Sequence, residues 1–178
     1  MASFIDRMIR AAKLDAALYE EVEADKGAMG QAMSVVILSS VAAGIGAIRI
    51  TGINGLIWGT IVALLGWFIW AFLTYYIGTR LLPEPQTKSS YGELLRTIGF
   101  SSSPGVLRVL AIIPMLGTIL NLVVGIWMLV AMVIAVRQAL DYKSTWRAAG
   151  VCLIGWVIQG MILMLLFSFF GGTPQPAG

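Results

Sequence analysis

Long stretches without charge divide this 178-residue chain into apolar blocks separated by short polar ones. Between Gly27 and Thr79 the one charged side chain is Arg49, and residues 109–136 and 148–178 carry none. A transmembrane helix needs about 20 mostly apolar residues to cross a hydrocarbon core about 30 Å thick. The first block therefore predicts two spans, at about 28–48 and 54–78, with a short loop around Arg49, Gly52 and Gly55. The last block predicts one, at about 148–170, and leaves 171–178 as a flexible tail. The middle block is too long for one comfortable crossing, and Pro114 and Gly117 interrupt it. It divides into a short helix over 104–116, with Pro104 well placed at its first turn, and a full span over 118–136. At about 1.5 Å per residue the short helix covers only about 20 Å, so it is either a thin span or a re-entrant piece.

Two segments outside these spans are also helical in pattern. Over residues 4–23, Phe4, Met8, Ala11, Leu18 and Val22 share one face, and Asp6, Arg10, Lys13, Glu20 and Glu21 share the other. Asp15 falls on the apolar stripe. Residues 1–27 are thus expected to form a cytoplasmic, acidic, amphipathic helix. It either docks a partner or packs on the ends of the spans. Its candidate docking residues are Phe4, Met8, Glu20, Glu21 and Glu23. The carboxylate run they end in would draw a basic partner if it is not simply a solvated helix end. Further on, Leu82-Pro-Glu-Pro-Gln breaks the chain, and Leu94, Leu95 and Ile98 cluster on a short helix from Tyr91 to Phe100. That helix is expected to lie along the membrane and lead into the third span.

Charge placement sets the orientation. Lysine and arginine gather in cytoplasmic loops. Five spans with the N-terminus inside place eleven of the 12 basic residues on the cytoplasmic side and leave Arg49 alone outside. A single crossing by 104–136 lowers the division to eight against four. The expected fold is an all-α, polytopic membrane helical bundle of five transmembrane helices, the third short and following Pro104, with the C-terminus outside. The first apolar block begins too deep and is too long for a secretory signal peptide, so the first span is expected to serve as signal anchor.

Composition agrees. Hydrophobic residues make up 58% and charged residues 12%, against about 25% charged in soluble domains. So few charges cannot cover a water-facing surface, which excludes a soluble domain, a disordered chain and a nucleic-acid binder. The net charge is only +3. The primary partner is the lipid bilayer. There is no histidine, which removes Ser-His and Cys-His catalysis and histidine-ligated metals. Cys152 is alone in an apolar span. No catalytic residue, metal ligand or cofactor is expected.

Inside the spans no Asp or Glu occurs, and Arg49 and Arg108 fall at span ends where they can reach the headgroups. The larger polar residues are Asn121 and Gln159. Either they line a small polar cavity or they fix helix packing through hydrogen bonds worth about 0.6–2 kcal/mol each. Gly55 and Gly59 form a GxxxG pair suited to close helix approach. Gly55, Gly59, Pro114, Gly117, Asn121 and Gln159 are the candidate packing or polar-core positions.

An ordered set of motifs runs along the chain: Tyr19-Glu-Glu-Val-Glu-Ala-Asp25, Gln31-Ala-Met-Ser-Val-Val, Tyr76-Ile-Gly-Thr-Arg-Leu-Leu82, Tyr91-Gly-Glu-Leu-Leu-Arg-Thr-Ile-Gly-Phe100, Ser103-Pro, Ile112-Ile-Pro-Met-Leu-Gly117, Gly125-Ile-Trp127, Ala135-Val-Arg-Gln-Ala-Leu-Asp141 and Thr145-Trp-Arg-Ala. Together these resemble the Yip1 family of five-span membrane proteins, specifically its prokaryotic members, over about residues 4–170. The resemblance implies a multi-pass protein of the prokaryotic cytoplasmic membrane with a cytosolic N-terminus and the C-terminus across the membrane. Eukaryotic members associate with prenylated Rab GTPases and with one another in vesicle trafficking. This chain lacks their Asp-Leu-Tyr-Gly-Pro motif and has a short N-terminal region, which argues against Rab-type GTPase binding. The expected function is a non-enzymatic scaffold, adaptor or accessory subunit that engages a membrane-protein partner or forms a homo-oligomer. The alternative is a transporter or channel for a small solute or lipid.

Overall fold

The computed structural model describes residues 3–113 and 115–170, and all regular structure among them is helical. The expected single N-terminal helix is instead a helical hairpin. Helix α1 (Phe4–Ala12) and helix α2 (Ala16–Ala24) are separated by a turn in which Leu14 takes φ 63°. Asp15 explains the break. Its carboxylate accepts from the Ala17 backbone N–H at 3.0 Å and caps α2, so it leaves the apolar stripe rather than interrupting it.

Helix α3 (Met29–Gly46) follows, then helix α4 (Ile48–Tyr76), which continues through a wider π-helical turn at Ile77–Leu81. The loop expected around Arg49 is a single break at Gly52, with φ 63° and ψ −172°. Only glycine takes that conformation without strain. Helix α5 (Tyr91–Ser101) opens on a capping box. Ser90 Oγ accepts from Glu93 N at 3.3 Å, and Glu93 returns a carboxylate to Ser90 N at 2.7 Å. A 3-10 segment (Ser103–Ile112), helix α6 (Gly117–Ala139) and helix α7 (Thr145–Phe170) complete the chain. Pro114 and residues 171–178, the expected interruption and tail, lie outside the described residues.

Four helical stretches are long and apolar enough to cross a membrane: Lys26–Gly46, Ile48–Leu81, Gly117–Ala139 and Thr145–Ile162. Ile57, Trp58 and Val62 on α4, Ile119 and Leu122 on α6, and Leu153 and Val157 on α7 are exposed. Apolar surface on that scale suits lipid rather than water. The chain is an all-α membrane bundle.

The short helix before Pro104 is not peripheral. Leu94 through Ser101 are all buried, and α5 packs against α2, α3, α4 and α6. Its two faces explain this. Leu94, Leu95, Ile98 and Phe100 are apolar, Thr97, Gly99 and Ser101 are small, and the one long polar side chain, Arg96, is buried with carbonyl partners. The hydroxyls of Thr97 and Ser101 donate back to the carbonyls of Glu93 and Ile98, so neither side needs water. The segment then continues alongside α3 in the same direction. A Cβ on Gly99 would lie 2.8 Å from Ala32 Cβ, one on Gly105 would fall on Ser39, and Gly46 abuts the Arg108 carbonyl and Ala111. Residues 91–112 therefore rise with α3 from its first turns to its last.

Candidate functional site

The end of the bundle where α3 and α5 begin is tied together by long side chains reaching distant carbonyls. Arg96 is buried and donates to the carbonyls of Val22, at 2.9 Å, and Glu23, two of the carbonyls left free at the end of α2. The Tyr142 phenol donates to Gly78 O at 2.9 Å and Leu82 O at 2.7 Å. Burial pushes its pKa up to about 12. Gln86 donates to Asp141 O at 3.0 Å, and Arg147 to Pro83 O at 3.1 Å. Glu84 accepts from the Lys143 backbone N–H at 3.0 Å, which holds its carboxyl below the usual range.

The hairpin is docked on this cap. Arg7 meets Glu21 at 2.9 Å, Asp25 at 3.0 Å and Gln31 at 3.0 Å. Arg10 meets Asp15 at 2.8 Å and Glu21 at 2.7 Å. Hydrogen bonds from Arg10 and then Arg7 lower the Glu21 pKa. The tip of α1 is held by Trp127 of α6, which donates to Ala12 O at 2.7 Å. Glu23 differs. Burial first, and then Asp141, Glu93 and Glu20, push its carboxyl up to about 8.

Among the candidate docking residues, Phe4 and Met8 are partly buried against the core and Glu21 is engaged by two arginines. Glu20 is exposed and accepts from Gln138 at 2.7 Å. It borders a groove of about 410 Å³ with Gln86, Arg137, Gln138, Asp141, Tyr142 and Lys143.

A larger cavity, about 750 Å³, lies between α3, α4, α5, the 3-10 segment, α6 and α7. It brings together Gly59, Asn121 and Gln159 from the candidate polar-core set, with Ser39, Ser40 and Ser101. The atoms nearest a Cβ on Gly55 belong to Thr51 of the same helix, and a Cβ on Gly59 would meet nothing within 4 Å. Gly117 starts α6 beside the Ala111 carbonyl.

Arg108 is the residue that sequence reasoning misplaced. Its backbone lies against Gly46, and its side chain, rather than reaching the headgroups, turns into the cavity toward Gly125 of α6, 3.9 Å from where a Cβ would stand there. The available signal was isolation, because Arg108 is the sole charge in residues 97–136. Two buried side-chain nitrogens among the described residues lack an acceptor, Arg108 Nε and Trp70 Nε1, and both side chains line this cavity. The neighbouring Trp67 indole is satisfied by Leu95 O at 3.0 Å. The cavity thus offers hydrogen-bond donors and one positive charge inside mostly apolar walls. Among the described residues, no carboxylate, thiol or phenol lines it. No cluster of three metal-ligating side chains occurs among the described residues.

The Yip1 domain matches residues 19–167. The chain belongs to the Yip1 family. The match opens at Tyr19, within α2, and takes in every residue lining the groove and the cavity, whereas α1 precedes it. This Yip1-family chain matches no curated protein and no solved structure.

Proposed function

We propose that this Yip1-family protein is a non-enzymatic membrane scaffold or adaptor. Its capped end faces the cytoplasm, and the groove beside Glu20 docks a second membrane protein or another copy of the chain. In this reading residues 91–112 make the fifth crossing, in parallel with α3, and carry the chain from the cap to the opposite face. Lys26, Arg80, Lys88, Arg137, Lys143 and Arg147 lie toward the cap in the chain order of the crossings, which supports a cytoplasmic cap under the positive-inside rule.

The observation that carries the proposal is the construction of the groove. Helix α2, the connection from α4 to α5 and the turn before α7 supply its walls, and each is fixed by side-chain bonds to another segment's backbone or carboxylate. A polar surface ordered before binding loses less entropy when a partner arrives.

A photo-crosslinking residue at Gln138 or Lys143 in native membranes tests this. A protein adduct of one defined mass is expected, absent when the probe sits at lipid-facing Ile57 and lost when Glu20→Lys and Asp141→Lys reverse the groove's acidic side. No adduct, or one that survives the reversal, overturns it. The larger cavity favours a second reading, movement of a small solute or lipid. Unchanged flux in liposomes with Asn121→Leu and Gln159→Leu removes that reading.

A further inference from the structure

We propose that the 750 Å³ cavity is a binding site for one anionic phospholipid, with the lipid phosphate held by Arg108 and an acyl chain leaving between α4 and α6–α7. This inference is independent of the adaptor proposal, because it concerns a different face and a different ligand.

Polar accounting comes first. A buried donor without an acceptor costs roughly 1–3 kcal/mol, and more when charged, so such groups call for a partner. Arg108 Nε is in that condition, and the far end of the same guanidinium reaches Gly125, which lines the cavity. A phosphate oxygen beside the cavity end of that guanidinium would supply its missing counter-charge.

Charge narrows the ligand. Among the described residues Arg108 forms no ion pair and no Asp or Glu lines the cavity. The side chain reaches Gly125, eight residues into α6 from Gly117, or about 12 Å at 1.5 Å per residue. An arginine at that depth is expensive and takes a counter-charge. Its planar fork of N–H groups matches the oxygens of a phosphate better than a lysine would. Ser39, Ser40, Asn121 and Gln159 add neutral polar groups along the same wall.

The rest of the lining selects a lipid over a small water-soluble anion. Val36, Ile98, Met128, Leu129 and Met132 give hydrocarbon a wall to lie on. Leu122, Ile126 and Trp156 line the cavity and are also exposed on the outer helix faces, so its apolar surface is continuous with the surface that meets the bilayer. Gly59 and Gly66 on α4 carry no side chain to close that edge, and a Cβ on either would meet nothing within 4 Å. The volume lies within the usual range of about 300–1,000 Å³ for small-molecule sites.

The test is native mass spectrometry of the purified full chain, titrated separately with dioleoyl-phosphatidylglycerol and dioleoyl-phosphatidylcholine. One phosphatidylglycerol is expected to bind per chain, more tightly than phosphatidylcholine, and millimolar inorganic phosphate is expected not to displace it. Arg108→Gln should weaken binding by about tenfold or more, the loss expected of a charge-assisted hydrogen bond. Arg49→Gln, which alters the other lone arginine, should not. Arg108→Lys keeps the charge and loses the planar fork, so it should keep the preference for phosphatidylglycerol at a few-fold lower affinity, and it reads the site even if Arg108→Gln fails to fold. Equal affinity for the two lipids, or equal loss from Arg108→Gln and Arg49→Gln, overturns the proposal. So does loss of the phosphatidylglycerol preference in Arg108→Lys, or full displacement by phosphate, which would mark a free-anion site instead.

Discussion

Arg96 in α5 donates from Nε to the backbone carbonyl of Val22 in α2 at 2.9 Å, across 74 positions of sequence. The same guanidinium also reaches the Glu23 carbonyl. These bonds close the open end of α2 and fasten the N-terminal hairpin to the buried centre of the bundle. Arg96→Met removes the charge and both bonds while keeping most of the side-chain bulk. Each hydrogen bond from a charged donor is worth about 1.5–3 kcal/mol. Faster amide hydrogen exchange is expected throughout α1 and α2, with α6 and α7 little changed. Arg96→Lys should recover only part of the protection, because one ammonium cannot reproduce the planar fork. Uniform loss of protection along the chain would mean that the contact supports the whole bundle instead.

Glu23 makes that junction pH-dependent. Its folded-state pKa of about 8 lies above the ordinary 4.5, chiefly through burial and then through Asp141, Glu93 and Glu20. Between those values the folded form holds a proton that the unfolded form has released, so stability falls as pH rises through the window. Thermal melting in detergent should show a lower midpoint at pH 8.5 than at pH 5.5. Glu23→Gln should raise the midpoint markedly at pH 8.5 and much less at pH 5.5, which lies only about one unit above the ordinary value. An equal effect at both values would separate the residue from any titration.

The 3-10 segment and α3 approach so closely that a side chain does not fit between them. A Cβ on Gly105 falls on Ser39 Oγ, and Ser39 is buried. Gly105→Ala is expected to cost roughly 1–3 kcal/mol, the usual penalty of overpacking. Ser39→Gly in the same chain should return much of it, so the pair should show strong coupling in a double-mutant cycle. Additive losses would place the two helices further apart than described here.

Those helices also show where sequence stops being informative. The apolar blocks at 28–48, 54–78 and 118–136 overlap α3, α4 and α6, although α4 begins well before its block, because hydrophobic run length and charge spacing report on lipid exposure. Helix α5 was harder to read. Glu93 and Arg96 near its start resemble a surface helix, yet Glu93 closes a capping box and Arg96 is satisfied by carbonyls of α2. Neither partner is visible from local pattern. At the N-terminus Asp15 looked like a flaw in an amphipathic stripe and is a helix cap. The cavity was half legible. Asn121, Gln159 and Gly59 stood out by residue type, and Arg108 did not, because a lone arginine near a span end reads as snorkelling until its direction is known.

The course of residues 91–112 decides most of this account, since it sets the number of crossings and carries Arg108 into the bundle. Single cysteines introduced as Thr87→Cys and Leu116→Cys, each in a Cys152→Ser background, can be labelled with a membrane-impermeant maleimide applied from one side and then the other. The two positions are predicted to react from opposite sides, with Thr87→Cys on the same side as Lys143→Cys. Labelling of Thr87→Cys and Leu116→Cys from the same side would contradict a crossing by this segment.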